Sequence, residues 1–342
     1  MHVYVNATED VPRSTHIIPG SFHNNKFSIP SVANFNFDDH LTRQILPFFS
    51  NENRPSPSTP WTPTFQHSFF DGSGNALDET LPFRENEIFL LYQGGRFIWP
   101  GISPGFKRRI PIDNKSVLTL HTLSVVPLVY EVEEQFLTDD ESDYIKQTAG
   151  PFMKHSDVVL MDKDKGKKSN EWRTSQTHFL SAKGDEMLKS LDERVEQLVR
   201  SPKSWHEAYQ VLRYEKTEKY SSHHDFFNPE LYANDKHTQL LIEGGLKNRL
   251  ATVFFYLSDV EEGGATNFPR AHGGPRPRSF EGCKDGMNVF PKKGKVIVFY
   301  NMGHDGQLDE YSLHGGCPVE KGVKWSANKW IWNSPVSFSD YK

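Results

Sequence analysis

Cysteine is scarce in this chain of 342 residues, which contains only Cys283 and Cys317. Two cysteines leave room for one disulfide or for two reduced thiols, and they exclude a Cys-rich scaffold or a zinc site built from four thiolates. Long apolar runs are also missing, since the longest nearly apolar run, Ala251 to Leu257, is far shorter than the roughly 20 residues that cross a bilayer. The sequence therefore predicts no transmembrane segment.

A large excess of charge of one sign is absent as well. The chain has 39 Lys and Arg residues against 44 Asp and Glu residues, a net charge of −5 that offers little attraction to a phosphate backbone. We therefore expect no nucleic-acid partner. No charged-then-apolar leader follows Met1, whereas the sequons at Asn6 and Asn114 are glycosylated only in a secretory lumen. We expect the lumen of the ER or Golgi, with the cytoplasm as the alternative.

Proline is unevenly distributed along the chain. Twelve of the 22 prolines precede residue 120, and Arg54 to Pro60 is typical of exposed extended chain. Within this region Ile88 to Tyr92 and Arg96 to Trp99 flank a Gly-rich turn, a pattern typical of a β-hairpin. Periodic elements begin near Thr122. We therefore predict a Pro-rich N-terminal region, residues 1–122, of unknown role and packed on a main domain, residues 123–342.

The main domain shows two helices followed by several strands. Thr138 to Glu141 forms a capping-box pattern that opens a helix to about Gln147, and Gly184 to Arg200 has apolar residues at helical spacing. Four segments rich in β-branched and aromatic residues predict strands: Tyr209–Tyr214, Ala251–Leu257, Lys295–Tyr300 and Asn328–Trp332. This order predicts a mainly β fold with flanking helices (α+β), a sandwich or barrel supported by the helices.

Three side chains could form a metal site. His223 and Asp225 lie on one face of an extended segment because strand side chains alternate, and His314 lies 89 positions beyond Asp225. Two imidazoles and one carboxylate form the facial triad of non-haem Fe(II) oxygenases, which leaves positions for a chelating co-substrate and O2. Lys324 follows ten residues after His314 and would supply a cation for the distal carboxylate of 2-oxoglutarate.

Alternative interpretations accompany these residues. A chain with 15 histidines can produce such a pattern by accident, and the same ligands would also serve a zinc site or a non-catalytic binding module. Alternation along the strand turns His224 away from the metal, and we expect His237, His272 and His304 on the surface or in loops. The Lys-rich segment 162–168 is predicted to be a solvated loop, with a mobile lid beside a groove as the alternative.

The chain from about Leu123 to Trp332 resembles the prolyl 4-hydroxylase family of 2-oxoglutarate- and Fe(II)-dependent dioxygenases, particularly its plant, algal and protist branch. The resemblance rests on ordered motifs at fitting spacing: Arg173-Thr174-Ser175, Tyr214, Tyr220 to Asp225, Ala251-Thr252-Val253, Tyr256 to Thr266, Leu313 to Val319 and Lys324 to Ala327. It implies a double-stranded β-helix, or jelly-roll, core. It further implies hydroxylation of peptidyl proline to 4-hydroxyproline, with Fe(II), 2-oxoglutarate, O2 and ascorbate as cofactors and co-substrates.

The resemblance also assigns roles to residues. His223, Asp225 and His314 become the iron ligands and, with Lys324, the catalytic set, while Lys324, Tyr214 and Thr252 support the co-substrate. The implied substrate residues are Tyr220, Trp330 and Arg173 at a groove for a proline-containing peptide. Cys283 and Cys317 are implied to form a disulfide.

One position departs from the resemblance. Trp332 stands where plant and algal relatives commonly have His. This departure favours, as the alternative, the same chemistry on free proline, another peptidyl residue or a small molecule.

Overall fold

The computed structural model describes ten segments of the chain, namely residues 2–6, 15–17, 27–28, 68–71, 73–76, 88–92, 96–112, 116–133, 136–277 and 283–336. The chain divides into two units, Met1–Ile102 with Gly303–Gln307 and Ser103–Met302 with Leu308–Lys342. Within the described segments, every helix is too short or too polar to cross a membrane.

The first unit contains a small β-sheet. Its strands are β1 His2–Asn6, β2 Thr15–Ile17, β3 Phe27–Ser28, β4 Ser68–Asp71 and β5 Ile88–Tyr92. They lie in the order β2-β1-β5-β4, with β3 also paired to β1 and with β5 parallel to β1.

The predicted hairpin in this unit is wrong. Strand β5 pairs with β4 and β1, whereas Arg96 to Trp99 is not a strand. The physical reason is that this second apolar run is buried through ring contacts instead, since Phe97 packs edge-on against Phe70 and Trp99. The Pro-rich stretch 54–60 lies outside the described residues.

The second unit contains three α-helices and fifteen strands among its described residues. The helices are α1 Asp139–Ala149, α2 Glu186–Val199 and α3 Lys236–Leu241. The strands are β6 Lys107–Pro111, β7 Val117–Val125, β8 Leu128–Glu133, β9 Lys154–His155, β10 Gln176–Leu180, β11 Tyr209–Tyr214, β12 Tyr220–His223, β13 Arg249–Tyr256, β14 Glu262–Gly263, β15 Thr266–Phe268, β16 Met287–Val289, β17 Val296–Tyr300, β18 His314–Gly316, β19 Val319–Lys321 and β20 Lys324–Trp332.

Two facing sheets form the barrel of this unit. The major sheet has the order β6-β7-β8-β17-β13-β20-β11-β10-β9, and the minor sheet has the order β12-β18-β15-β16. From β11 to β20 the chain passes repeatedly from one sheet to the other, and the later strands β17 and β20 pair on the two sides of β13. The predicted mainly β fold class is confirmed, and this path is consistent with the jelly-roll core that the resemblance implies.

The second unit begins earlier than the boundary drawn from the sequence. Residue 122 lies inside β7, which pairs with β6 on one side and β8 on the other. Because these ladders continue the major sheet, the compact unit starts at Ser103. The change in proline content therefore does not mark the start of the unit.

The helices begin and end where the sequence predicts. The Thr138 hydroxyl accepts the amide of Glu141 while the Glu141 carboxylate accepts the amide of Thr138, which is the predicted capping box. Helix α2 buries one apolar face, and its N-cap Asp185 accepts the amide of Leu188. The Arg194 guanidinium then binds Glu141 and the carbonyl of Phe136, which ties α2 to the start of α1.

The middle of the major sheet is buried on both faces. Strand β13 has seven buried residues of eight and pairs with both β17 and β20, so its sequence is apolar without alternation. At the rim, Gly263 has φ +77°, and a Cβ there would lie 2.5 Å from the carbonyl oxygen of Pro318. The Gly-Gly turn after β13 therefore needs glycine for close approach of two backbones.

Candidate active site

His223, Asp225 and His314 meet at the open end of the barrel. His223 ends β12 and His314 begins β18, and the two residues are paired across these strands. The Nε2 atoms of His223 and His314 lie 3.6 Å and 3.5 Å from the two carboxylate oxygens of Asp225. One ligand atom of each residue lies within 4.8 Å of the others, so the structure brings the predicted triad together.

Backbone carbonyls orient both imidazoles. The Nδ1–H of His223 donates to the carbonyl of Ser221 at 2.8 Å, and the Nδ1–H of His314 donates to the carbonyl of Ser312 at 2.9 Å. These bonds leave each Nε2 unprotonated and facing Asp225. Such hydrogen bonds from the outer nitrogen are typical of metal-binding histidines because they fix the tautomer and the ring.

The electrostatics of the triad favour a cation. Burial opposes the charge of Asp225, yet His314 and His223 hold the pKa of that carboxyl well below its usual range. Burial lowers the pKa of His314 to about 4, so its imidazole is neutral at ordinary pH. One carboxylate with two imidazoles is the donor set of non-haem Fe(II) sites, and the residues therefore fit that ion.

Lys324 is buried without a counter-ion. It begins β20 opposite Tyr214 of β11, and its Nζ lies 5.5–5.6 Å from the rings of Tyr214, Phe254 and Tyr256. Among the described residues no carboxylate pairs with it, and burial lowers its pKa to about 7. A buried ammonium surrounded by aromatic faces is costly unless an anion joins it, which fits the predicted contact with a carboxylate.

Tyr214 and Thr252 occupy different positions relative to these groups. Tyr214 lies beside Lys324, and burial raises the pKa of its phenol, which keeps the hydroxyl protonated as a donor. The Thr252 hydroxyl donates to Asp225 at 2.7 Å and accepts the Asn301 amide at 3.1 Å. Thr252 therefore orients a metal ligand in this structure, while its assignment to the co-substrate stays a prediction.

Tyr220 and Arg173 form a stack on one side of the triad. The ring of Tyr220 lies parallel to that of His223 with 3.6 Å between centroids, and the Arg173 guanidinium lies 4.6 Å from the Tyr220 centroid. Arg173 is buried and donates to Ser175 at 3.0 Å, so the Arg-Thr-Ser motif holds its own guanidinium in place. Burial raises the pKa of Tyr220 to about 12.

Trp330 lies on the opposite wall beneath Arg249. The guanidinium of Arg249 is 3.7 Å from the Trp330 centroid, and it makes a two-pronged ion pair with Glu207 at 2.6 Å and 3.0 Å. Arg249 also donates to the carbonyl of Asp225 at 3.3 Å. Sequence reasoning missed Arg249 and Glu207, because the pair is 42 positions apart and belongs to no local pattern.

Trp332 does not reach the groove. It is fully buried, stacks on Phe227 and donates its indole N–H to Glu207 at 2.6 Å. Trp332 does not line the cavity that opens beside the triad. The inference from Trp332 to a different substrate is therefore not supported by its position, because the indole fills the core behind the Arg249 and Glu207 pair.

A cavity of about 850 Å³ opens beside the triad. Three groups of residues line this cavity. The candidate iron ligands His223 and Asp225 form the first group. The second group is aromatic or cationic, and the third is an outer apolar lip: Arg173, Tyr220, Arg249 and Trp330 in the second, and Phe152, Val159 and Phe179 in the third. The lip residues are exposed apolar side chains. The predicted substrate residues thus share one cavity with the candidate metal site.

The remaining site predictions concern cysteines, histidines and a loop. Cys283 and Cys317 form a disulfide, as predicted. His224 is turned away from the triad and binds the carbonyl of Glu310. His237 and His272 are exposed, as expected, whereas His304 lies in a turn but is buried. The Lys-rich segment contains a short 3₁₀ turn in which Asp162 accepts two bonds from Asn234, and its role as a lid stays a prediction.

The fold and the donor set together define a class of enzyme, the 2-oxoglutarate- and Fe(II)-dependent oxygenases. The model of the 2OG-Fe(II) oxygenase superfamily matches residues 209–332. Prolyl 4-hydroxylase 5 of Arabidopsis thaliana is 41% identical over 205 residues, 58% of this chain and 67% of that protein. Probable prolyl 4-hydroxylase 8 of the same plant is 39% identical over 217 residues, 62% of this chain and 71% of that protein.

A solved structure is also similar. The viral collagen prolyl hydroxylase from Paramecium Bursaria Chlorella virus-1, in its 2OG complex, is 24% identical, and the match covers 60% of this chain and 96% of that one with a TM-score of 0.42. On the identity and coverage of the plant relatives, the chain belongs to the prolyl 4-hydroxylase family of these oxygenases.

Proposed function

We propose that this protein hydroxylates peptidyl proline to 4-hydroxyproline while it converts 2-oxoglutarate and O2 to succinate and CO2. The observation that carries the proposal is that the His223, Asp225 and His314 triad lies beside a cavity with aromatic sides, whose lining includes His223 and Asp225. The buried, unpaired Lys324 supplies the cation that a dicarboxylate co-substrate needs. Membership of the prolyl 4-hydroxylase family supports the assignment.

Each group of residues has a defined task. His223, Asp225 and His314 would hold Fe(II), which when bound supplies the activation of O2 that a proline C–H bond requires. Lys324 would bind the distal carboxylate of 2-oxoglutarate as a point charge, with the Tyr214 hydroxyl beside it. Thr252 and the carbonyl bonds of the two imidazoles keep the three ligand side chains in one orientation.

The cavity walls suit an extended proline-containing peptide. Tyr220 and Trp330 present ring faces near the metal site, and each is backed by a guanidinium, Arg173 or Arg249. A proline ring packs well on such faces. A polyproline II peptide also loses little conformational entropy on binding because its backbone is already restricted.

The test is a hydroxylation assay on a panel of proline-rich peptides with Fe(II), 2-oxoglutarate and ascorbate. We expect succinate in proportion to peptide that gains the mass of one oxygen atom, and amino-acid analysis should give 4-hydroxyproline. His223→Ala should abolish both products, whereas His237→Ala, an exposed residue of the same cavity, should not. Succinate without oxidised peptide would redirect the chemistry to another substrate. No succinate from an iron-loaded protein would favour a binding module.

We further propose that the protein acts in an oxidising compartment, the lumen of the secretory pathway. The support is the Cys283–Cys317 disulfide, because such bonds persist in oxidising compartments and are rare in the cytosol. Alkylation of thiols in intact cells before lysis tests this proposal. We expect no labelled cysteine in the chain, and two labelled cysteines would place the protein in a reducing compartment.

A further inference from the structure

His224 lies between two metal ligands in sequence but makes its contacts elsewhere. Its ring stacks on Phe226 with 4.5 Å between centroids, and its Nε2–H donates to the carbonyl of Glu310 at 3.1 Å. Glu310 is 86 residues further along the chain. The segment that carries His223 and Asp225 is therefore bonded directly to the segment that leads into His314.

A second side chain binds the same carbonyl. The Arg270 guanidinium donates to the Glu310 carbonyl at 3.0 Å and lies 4.1 Å from the Tyr311 ring centroid. Two donors on one carbonyl fix the 3₁₀ turn Glu310–Ser312 from both sides. We name His224, Arg270 and the Glu310 carbonyl the ligand brace.

The turn held by the ligand brace controls a metal ligand. The carbonyl of Ser312, the last residue of the turn, accepts the Nδ1–H of His314 at 2.9 Å and so sets the direction of that imidazole. The Ser312 hydroxyl donates back to the carbonyl of Asp309 at 2.7 Å, which closes the turn. A shift of Glu310 would therefore move the acceptor that orients His314.

We propose that His224 is a positioning residue that holds His314 in register with His223 and Asp225 before the metal binds. The proposal rests on the proposed function only in taking the triad as the iron site. Without the ligand brace, the His314 segment is ordered only when the metal binds. Part of the binding free energy then offsets the cost of this ordering, so the affinity for the metal is weaker. At saturating metal the triad is complete in either case, so turnover stays close to that of the parent protein.

Two substitutions at His224 separate the hydrogen bond from the ring. His224→Phe keeps the stack on Phe226 and removes the donor, whereas His224→Gln places an amide N–H near the former Nε2. Co(II) titration of the apoprotein, followed by d–d absorption, should show about tenfold weaker binding for His224→Phe, in the range known for outer partners of metal ligands. His224→Gln should recover most of the affinity.

Kinetics supply the second readout. We expect His224→Phe to raise the KM for Fe(II) about tenfold, as in the titration, with the KM for 2-oxoglutarate and kcat at saturating iron unchanged. His121→Ala is the matched control, since it removes an imidazole of β7 that lies outside both the cavity and the ligand brace. Arg270→Leu removes the other donor to the Glu310 carbonyl and should weaken Co(II) binding in the same direction.

Specific results would overturn the proposal. Co(II) affinity of His224→Phe equal to that of the parent protein would show that the ligand brace is not needed. Equal losses in His224→Phe and His224→Gln would assign the effect to the ring. If His224→Phe does not fold, unchanged affinity in Arg270→Leu would have the same meaning. Because Co(II) binding requires no peptide, these outcomes are independent of whether proline is the substrate.

Discussion

The two sheets of the barrel supply different parts of the site and hold them in different ways. The minor sheet has strands of three or four residues, and it carries His223 and His314 with backbone carbonyls to orient them. The major sheet has strands of up to nine residues, and it carries Lys324 among buried rings. The two candidate histidine ligands thus lie at strand ends beside the cavity, whereas the Lys324 ammonium lies in the buried interior.

Several contacts cross between these two arrangements. Thr252 belongs to the buried strand β13 of the major sheet, and its hydroxyl donates to Asp225 in the segment after β12. The ring of Phe299 in β17 also packs on His314. Because the histidines and Lys324 nevertheless lie in different sheets, we expect substitutions in the two sheets to have different effects. Substitutions in the minor sheet should change metal affinity, and substitutions in the major sheet should change co-substrate affinity.

The largest effect is expected at the triad. Asp225→Ala removes the only carboxylate of the described metal cluster and leaves two imidazoles, which do not provide the facial set for Fe(II). Co(II) titration should detect no specific site, and succinate formation should fall to background. Asp157→Ala, an exposed carboxylate that lines the same cavity, is the control and should bind Co(II) normally. Retained Co(II) binding in Asp225→Ala would contradict the assignment of the metal site to His223, Asp225 and His314.

A substitution of Lys324 in the major sheet should change co-substrate affinity and leave metal affinity unchanged. Lys324→Met keeps the length and apolar stem of the side chain but removes the charge. A charged hydrogen bond is worth about 1.5–3 kcal/mol, so the Kd for 2-oxoglutarate should rise roughly 10- to 100-fold. Calorimetry on the metal-loaded protein measures this Kd. Co(II) affinity should not change, and Lys321→Met, an exposed lysine of β19, should change neither quantity.

The disulfide should stabilise the minor sheet. Cys283 and Cys317 are 34 positions apart, and Cys317 directly follows the strand that begins with His314. The Cys283→Ser/Cys317→Ser variant should lose about 2–4 kcal/mol of unfolding free energy, measured by urea titration. Parent protein treated with a reductant should behave like the variant. Identical stability of variant and oxidised parent would show that the disulfide does not hold this sheet.

The pH dependence of co-substrate binding follows from Lys324. Burial lowers its pKa to about 7, so the ammonium loses its proton as the pH rises through 7 in the protein without co-substrate. A bound carboxylate favours the charged form and raises this pKa. Above pH 7 the affinity for 2-oxoglutarate should therefore fall several-fold per pH unit, with uptake of a proton on binding. Calorimetry in buffers of different ionisation enthalpy measures this uptake, which Lys324→Met should abolish.

The smallest effect on activity is expected at Trp332. The indole is buried behind the groove, so Trp332→His should leave the relative rates on different proline peptides unchanged. The same substitution should lower thermal stability, because His fills less volume beside Phe227. Competition assays with mixed peptides, followed by mass spectrometry, measure the relative rates. A changed peptide preference would mean that this buried residue behind the groove also determines substrate choice.

Sequence reasoning reached the parts of the site that follow from short patterns. His223 and Asp225 could be placed on one face because strand alternation is local, and the cap of α1 follows from two residues three positions apart. Lys324 was predicted to be the cation for the distal carboxylate from its place after His314 and from the family resemblance. The structure adds that no carboxylate of the described residues pairs with it.

The parts that were missed depend on distant partners. The Arg249 and Glu207 pair, and the bond from His224 to Glu310, join residues 42 and 86 positions apart. No periodicity encodes such contacts, because they arise only when the sheets close. The first boundary was misplaced for the same reason, since β6 and β7 become part of the major sheet only through pairing with β8.

The position of β20 has a consequence for synthesis on the ribosome. This strand is the last of the barrel in chain order, yet it lies between β13 and β11 in the middle of the major sheet. Until Lys324 to Trp332 have been made, the growing chain exposes two unpaired strand edges and lacks the cation of the site. A nascent chain therefore carries the three candidate metal ligands before it carries the lysine proposed to bind 2-oxoglutarate.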